Sequence, residues 1–351
     1  MKIIFLVLFI ASFVGVALAG EWNCADTSGV FTRSTDCTLS SEVVVTGSLN
    51  ITGIPDANDV LPKIIGGGSN RLFKVESGGE LYVRYLNLTG GDVTTTGCSW
   101  PYMLCSGGGV LVDGGLFNAS DSTIYGNKAA KTAGGLFANN GASVGLARVT
   151  LTHNTAVGSD GGAMFCYGLG TKCFFAESQL QYNWAKSDGG GIACRSKAKC
   201  TSRESIVRYN TANDVKGGGM RCADSDTACI LTSSYMYLNE AGGSEPGLSC
   251  EGAASCTVVE SFGREDCPVN IGSFPLVPGG EQPPCTWSCT SPETLGAYGL
   301  TSDCILYSQI VVTGSLNITG IPDANGVLPK IIGGGSNRLF KVESGGELAV
   351  K

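Results

Sequence analysis

The chain has 351 residues, 52 of them glycine and 16 cysteine, with a single histidine and a formal net charge of −7. An acidic chain of this kind excludes nucleic acid as the expected partner, and one histidine leaves no basis for a His-rich zinc site. Abundant glycine without matching proline points to tight turns rather than to disorder.

The first segment reads as a secretory signal peptide spanning 1–19. Lys2 precedes an apolar run from Ile3 to Val16, and Ala17-Leu18-Ala19 supplies a small-residue cleavage pattern. Its removal leaves 22 positive against 30 negative side chains, a net charge of about −8. No later apolar stretch approaches the roughly 20 residues that a spanning helix needs, so no membrane-spanning segment is expected. The mature chain is expected to be secreted or cell-surface, and sixteen cysteines suit an oxidising compartment. Four N-x-[ST] sequons, at Asn50, Asn87, Asn118 and Asn317, offer glycosylation sites.

From the mature N-terminus, Trp22, Cys24 and Cys37 suggest a cysteine-pinned cap. A phased repeat then runs to about residue 260. Cys166, Cys194, Cys222 and Cys250 are spaced by 28 residues, and Cys173, Cys200, Cys229 and Cys256 by 27, 29 and 27. Asn127, Asn154, Asn183, Asn210 and Asn239 follow the same beat, each three residues after an aliphatic (Ile124, Leu151, Leu180, Val207, Met236) and two before an alanine. A double glycine and an apolar residue recur between them, as in "SDGGGIAC" at 187–194. A fixed period of this length marks a solenoid. Short β-rich runs such as "RVTLTHN" and "SQLQYN", two or three to a repeat, read as strands between turns. The expected fold is all-β: a right-handed parallel β-helix of about 27–28 residues per coil, in which each strand lies on its own copy. The aliphatics then form an inward row, residues 122, 149, 178, 205 and 234 a second row of small groups, and the asparagines a hydrogen-bonded ladder.

The GG-[apolar] and [FILV]-x-x-N motifs, in phase over about 107–260, resemble the repeat of polymorphic outer-membrane proteins and, more broadly, right-handed β-helix repeats of secreted and surface proteins. The resemblance implies the architecture. The dense cysteine pairs depart from it, and no membrane-barrel segment accompanies the repeat.

A longer repeat is superposed. Residues 43–84 recur at 310–351 with 38 of 42 positions identical, at an offset of 267. The chain is therefore expected to hold a β-helix domain over 20–265, a Pro/Gly/Cys-rich linker over 266–292 and the start of a second, truncated copy over 293–351.

Taken in order, the cysteines pair as Cys24–Cys37, Cys98–Cys105, Cys166–Cys173, Cys194–Cys200, Cys222–Cys229, Cys250–Cys256, Cys267–Cys285 and Cys289–Cys304. The coil at 134–160 lacks both members of its pair, which favours bonding within each coil. Bonding between stacked coils is the alternative, because strand spacing falls inside the allowed Cα separation. C-x5-C and C-x6-C are not zinc-ribbon spacings, and no C-x-x-C redox motif occurs. No metal or cofactor is expected.

Polysaccharide-active β-helices need converging carboxylates, or a base beside a cationic clamp. Here the nearest approach is the row six residues before each asparagine: Asp121, Arg148, Glu177, Glu204 and Ser233. It should face solvent, with Arg148 pairing to its neighbours. Glu177, Glu204 and Arg208 are the only catalytic candidates. Asp160 and Asp188, each before a double glycine, read as turn caps. Tyr182, Trp184 and Tyr209 cluster around successive turns and are the candidate ligand-binding aromatics, with Trp184 the expected exposed ring. The favoured reading is a secreted or cell-surface structural and binding solenoid, adhesin-like or matrix-like, without catalytic activity, whose partner is an extracellular glycan or cell-surface protein. The alternative is a polysaccharide-active lyase, epimerase or glycoside hydrolase.

Overall fold

A computed structural model describes residues 19–94, 105–214, 216–243 and 245–259, together with the strands Phe262–Gly263, Cys285–Thr286, Gly296–Leu300, Cys304–Leu306, Ile310–Val312, Ser315–Gly320, Ile331–Gly333, Phe340–Val342 and Glu347–Val350. The described residues form an all-β parallel solenoid.

One coil shows how alternation builds it. In Ser143–Ala147, Val144 and Leu146 point inward; Thr150–Thr152 buries Leu151, Thr155–Ala156 buries Ala156, and Met164–Tyr167 buries Met164 and Cys166. The chain then rises to Lys172–Ala176, which pairs in parallel with Ser143–Ala147. The coil that opens with Ser48–Gly53 has three strands, within the expected two or three, but this one and the others from Glu80 to Cys250 have four. The third is only two residues long, too short for alternation to show. The four faces, numbered here in chain order from Ser143–Ala147, are parallel sheets of ten, nine, six and eight strands.

From Leu116 onward the coils come in two sizes. First-face register steps are 27, 29, 27, 29 and 27 residues from Leu116 to Ser255. Fourth-face steps are 28 throughout from Leu136 to Leu248. The longer coil carries one extra residue at each corner flanking the fourth face, which leaves the fourth-face spacing constant. Long and short corners interlock: the hydroxyls of Thr171 and Thr227, in long corners, accept the backbone N–H of Gly141 (3.2 Å) and Lys197 (2.9 Å) in the short corners beneath.

All four corners use left-handed backbone, the one before the first face at Asn140, Gly168, Ser196 and Asp224. Between the first and second faces, Asp121, Arg148, Glu177, Glu204 and Ser233 all have φ of 46–54°. The next residue makes this tolerable. Ser178 and Ser205 donate Oγ–H to the carbonyl two residues back (2.7 Å each), and their Oγ accept the N–H of Val149 and Ser178 in the coil before (3.1 Å each). Between the third and fourth faces the double glycine divides the work. Gly161 takes φ of 72°, while a Cβ on Gly162 would lie 2.2 Å from the Gly190 carbonyl oxygen.

The asparagine file occupies the corner between the second and third faces. Asn154 Nδ2 donates to Asn183 Oδ1 (3.0 Å) and to the Ile124 carbonyl (2.9 Å), and Asn154 N–H donates to the same Asn183 Oδ1 (3.0 Å). The pattern repeats from Asn127 to Asn239, and all five side chains are buried. Below Asn127, the N–H of Gly91 donates to Asn127 Oδ1 (2.9 Å), so the file ends where glycine replaces asparagine.

The bonded pairs are Cys24–Cys37, Cys166–Cys173, Cys194–Cys200, Cys222–Cys229 and Cys250–Cys256, so the four central bridges close within their own coils. Cys105 is disulfide-bonded, while Cys98 and the side chains of Cys267, Cys285, Cys289 and Cys304 lie outside the described residues. Each central bridge crosses the core from the fourth face to the first. In register below them, the same places hold Val45 and Leu49, Val75 and Leu81, Val112 and Phe117, then Ala138 and Val144. The disulfide column thus continues an apolar column. Cys194→Ala/Cys200→Val, which copies the Ala138 and Val144 coil two steps beneath, is expected to fold and to lose about 2–3 kcal/mol, the chain-entropy contribution of a short bridge. Cys194→Ser/Cys200→Ser is expected to lose at least 1–2 kcal/mol more, because two hydroxyls are left buried. Urea denaturation checks both. Equal stability of the two variants would contradict the shared-column account.

At the N-terminal end, Trp22 is fully buried, stacks on Phe73 at 5.9 Å and donates its indole N–H to the Asp26 carbonyl (3.0 Å). The second copy repeats the first copy's pairing: Ser315–Gly320 lies against Glu347–Val350 in the register that Ser48–Gly53 makes with Glu80–Arg84.

Candidate functional site

Outward positions on the second face carry Thr150 and Thr152, Gln179 and Gln181, Ile206 and Arg208, then Tyr235. At its corner with the third face stand His153, Tyr182 and Tyr209, each at φ of 53–55° and each preceding a ladder asparagine. The left-handed conformation turns these side chains out, and sheet register puts them one above another at strand spacing. Their rings accordingly stack: His153 on Tyr182 at 5.4 Å, and Tyr182 on Tyr209 at 4.9 Å with planes 1° apart. The file is exposed, Tyr182 by 47% and Tyr209 by 36%. Thr152 Oγ1 lies 2.8 Å from His153 Nδ1. Arg208 donates Nε–H to Gln181 Oε1 (3.0 Å), and its guanidinium carbon sits 5.6 Å from the Tyr209 ring centre. Both faces of Tyr182 are covered by its neighbours, so the file offers ring edges and phenol hydroxyls rather than open faces.

Trp184 corrects one expectation. It begins the third-face strand Trp184–Ala185, between Thr155 and Thr211, and is half-buried. Of the three candidate aromatics, Tyr182 and Tyr209 are the exposed ones. One residue separates Trp184 from Tyr182 by a whole corner, because buried Asn183 turns the chain between them.

Glu177 and Glu204 are neighbours at the first corner, both exposed. Arg203 holds Glu204 through Nε–H (2.9 Å) and Nη2–H (2.8 Å). Arg208 ends the second-face strand Ile206–Arg208 and is directed to Gln181. Both glutamates thus stand in solvent, Glu204 against Arg203 and Glu177 on the coil beneath. Lower on the same corner, Arg148 bonds Asp121 (2.6 and 3.1 Å) and Arg84 adds a third contact (3.2 Å). The Arg148 hydrogen bonds hold the Asp121 carboxyl below its ordinary value.

Asp160 and Asp188 are more than turn caps. Both are buried. Asp160 Oδ1 accepts the Asp188 N–H (3.2 Å) and Oδ2 meets Arg195 (3.0 Å); Asp188 Oδ1 accepts the Lys216 N–H (3.1 Å) and Oδ2 pairs with Arg221. Arg195 and Arg221 lie on the next coil's fourth face, 35 and 33 residues away, a diagonal that no fixed period reveals. Beneath the same corner, Arg221 Nε, Glu245 Oε2 and Ser249 Oγ are buried without a hydrogen-bond partner.

The sulfurs of Cys222, Cys250 and Cys256 lie within 4.8 Å of one another. Two stacked bridges bring them together, and bonded sulfur presents no thiolate to a metal. Asn50 and Asn118 project from first-face strands and Asn87 from the second face; Asn317 lies in Ser315–Gly320. Ile51, Leu88 and Ala119, the middle residues of the first three sequons, are core. In these strands the polar-out, apolar-in pattern itself writes N-[apolar]-[ST]. Among the described residues no helix is long and apolar enough to cross a membrane.

Set against protein-family models, curated proteins and solved structures, the chain matches none of them; what places it is its own architecture, an all-β parallel solenoid stapled by disulfides.

Proposed function

We propose that this chain is a secreted or cell-surface binding solenoid without catalytic activity, adhesin-like or matrix-like, which takes an extracellular glycan or cell-surface protein along its second face. The observation that carries the reading is the exposed His153–Tyr182–Tyr209 file beside Arg208. Tyrosine and arginine at this density are the residue types that dominate recognition surfaces. Because the ring faces cover one another, recognition runs through phenol hydroxyls, ring edges and the Arg208 guanidinium, which suits a hydroxyl-rich or carbonyl-rich partner. Secretion is supported by residues 1–19 as a signal peptide and by four bridges that persist only in an oxidising compartment. The likeness to polymorphic outer-membrane protein repeats rests on the in-phase double-glycine and aliphatic-x-x-N motifs.

The test is a screen of the secreted full chain on glycan arrays and intact cells, alongside turnover assays on acidic and neutral polysaccharides. Tyr182→Ala is expected to weaken binding at least 10-fold with an unchanged far-UV spectrum, a loss of about 1.4 kcal/mol or more. Turnover that disappears on Glu177→Gln would overturn the reading in favour of a carbohydrate enzyme.

A further inference from the structure

On the outward middle row of the first face, Asn50, Tyr82, Asn118, Gly145 and Phe174 follow one another in register. Phe174 is 43% exposed, an apolar ring between Gly145 and Thr201 on that row. Gly145 separates it from Asn118 and leaves a gap. A Cβ there would lie 2.3 Å from Asn118 Oδ1, so the Asn118 carboxamide leans over Gly145 toward the phenylalanine. The Asn118 side chain makes no hydrogen bond with any described residue, whereas Asn87 Nδ2 is spent on the Leu61 carbonyl (3.1 Å). Ser120, the sequon hydroxyl, projects on the same side of the strand as Asn118. Two strand steps, about 10 Å, separate Asn118 from Phe174, within reach of the first sugars of a chain attached to the amide.

We propose that Asn118 carries an N-linked glycan whose first N-acetylhexosamine units lie along the Gly145 gap and cover the ring of Phe174. The inference rests on the reading that the chain enters a secretory pathway. There an oligosaccharyltransferase joins the Asn118 amide nitrogen to the anomeric carbon of a lipid-pyrophosphate-linked oligosaccharide. The lipid pyrophosphate leaves and the amide loses one proton. The apolar face of the sugar then shields the exposed ring, and the carboxamide is already aimed for it.

The test uses the full chain secreted from a eukaryotic host, with glycopeptide mass spectrometry and thermal melts. The expected result is an occupied Asn118 and a Tm lowered by about 2–4 °C in Asn118→Gln, the size of shift that one aromatic contact of about 1 kcal/mol makes in a domain of about 150–250 residues. In a Phe174→Ala background, Asn118→Gln is expected to cause no further shift. In glycan-free protein from a host lacking the transferase, Asn118→Gln leaves Tm unchanged. Gly145→Val, which crowds the carboxamide, keeps occupancy but removes the Phe174-dependent shift. An empty Asn118 in secreted protein overturns the proposal alone, as does an equal Asn118→Gln shift with and without Phe174. Retention of the chain inside the cell overturns the secretion reading and the proposal together.

Discussion

Asn183→Leu is expected to lower the unfolding free energy by about 3–5 kcal/mol, although it replaces one side chain with another of similar size. Asn183 Nδ2 donates to the carbonyls of Leu151 and Gln181 (3.0 Å each) and to Asn210 Oδ1 (2.9 Å), and its Oδ1 accepts both the N–H and the Nδ2 of Asn154 (3.0 Å each). Removing it leaves the Asn154 N–H and the Leu151 carbonyl in a closed corner. Each orphaned buried group costs about 1–3 kcal/mol. Because coils contact only their neighbours, the damage is expected to be local, with fast amide exchange over 151–156 and 180–185 before the rest. Urea denaturation with hydrogen exchange reads both. A loss below about 1 kcal/mol, the usual effect of a surface change, would mean that the file is decoration.

Phe175→Ala is expected to cost about 3–5 kcal/mol. Phe175 is fully buried on the first face, in register between Leu146 and Ser202. Ser202 is too small to fill its own level, and its Oγ is taken up by Ser234 Oγ at 2.8 Å. The phenylalanine therefore packs volume that its neighbour leaves open. A second-site change separates this from generic core damage. Ser202→Val alone should overpack and lose about 1–3 kcal/mol, whereas in the Phe175→Ala background it should recover part of the loss. Strict additivity of the two changes would contradict contact between adjacent coils.

Stacking also decides what could be read without coordinates. Columns of like residues were legible, because in-register parallel pairing puts identical positions in contact. Asn127 to Asn239, the paired cysteines and Ile124 to Met236 each announce their column by period alone. The third face was not legible, since Thr155–Ala156 and its copies are too short to alternate. Nor were the corners: glutamate, arginine and tyrosine are not residue types that signal positive φ, yet Glu177 and Tyr182 adopt it because the adjoining Ser178 and Asn183 satisfy the turn. Off-period contacts escaped as well. Asp160 meets Arg195, one coil and a strand away. A second apolar file, Leu111, Phe137, Phe165 and Ala193, is in period but sits at outward positions of the fourth face, where Ala133 of the corner loop covers it. Exposure of a single ring depends on which side of Asn183 it falls, which is why Tyr182 is open and Trp184 is not.

The most direct test of coil-on-coil stacking is a set of spin-label distances along the second face. Asn87, Thr123, Thr150, Gln179, Ile206 and Tyr235 follow one another in register on outward positions. With one label fixed at Asn87→Cys and the second at Gln179→Cys, Ile206→Cys or Tyr235→Cys, the distances should rise in equal steps, to about 14, 19 and 24 Å. Distances that fail to grow by about one strand spacing per coil would contradict the solenoid and every contact argued from it.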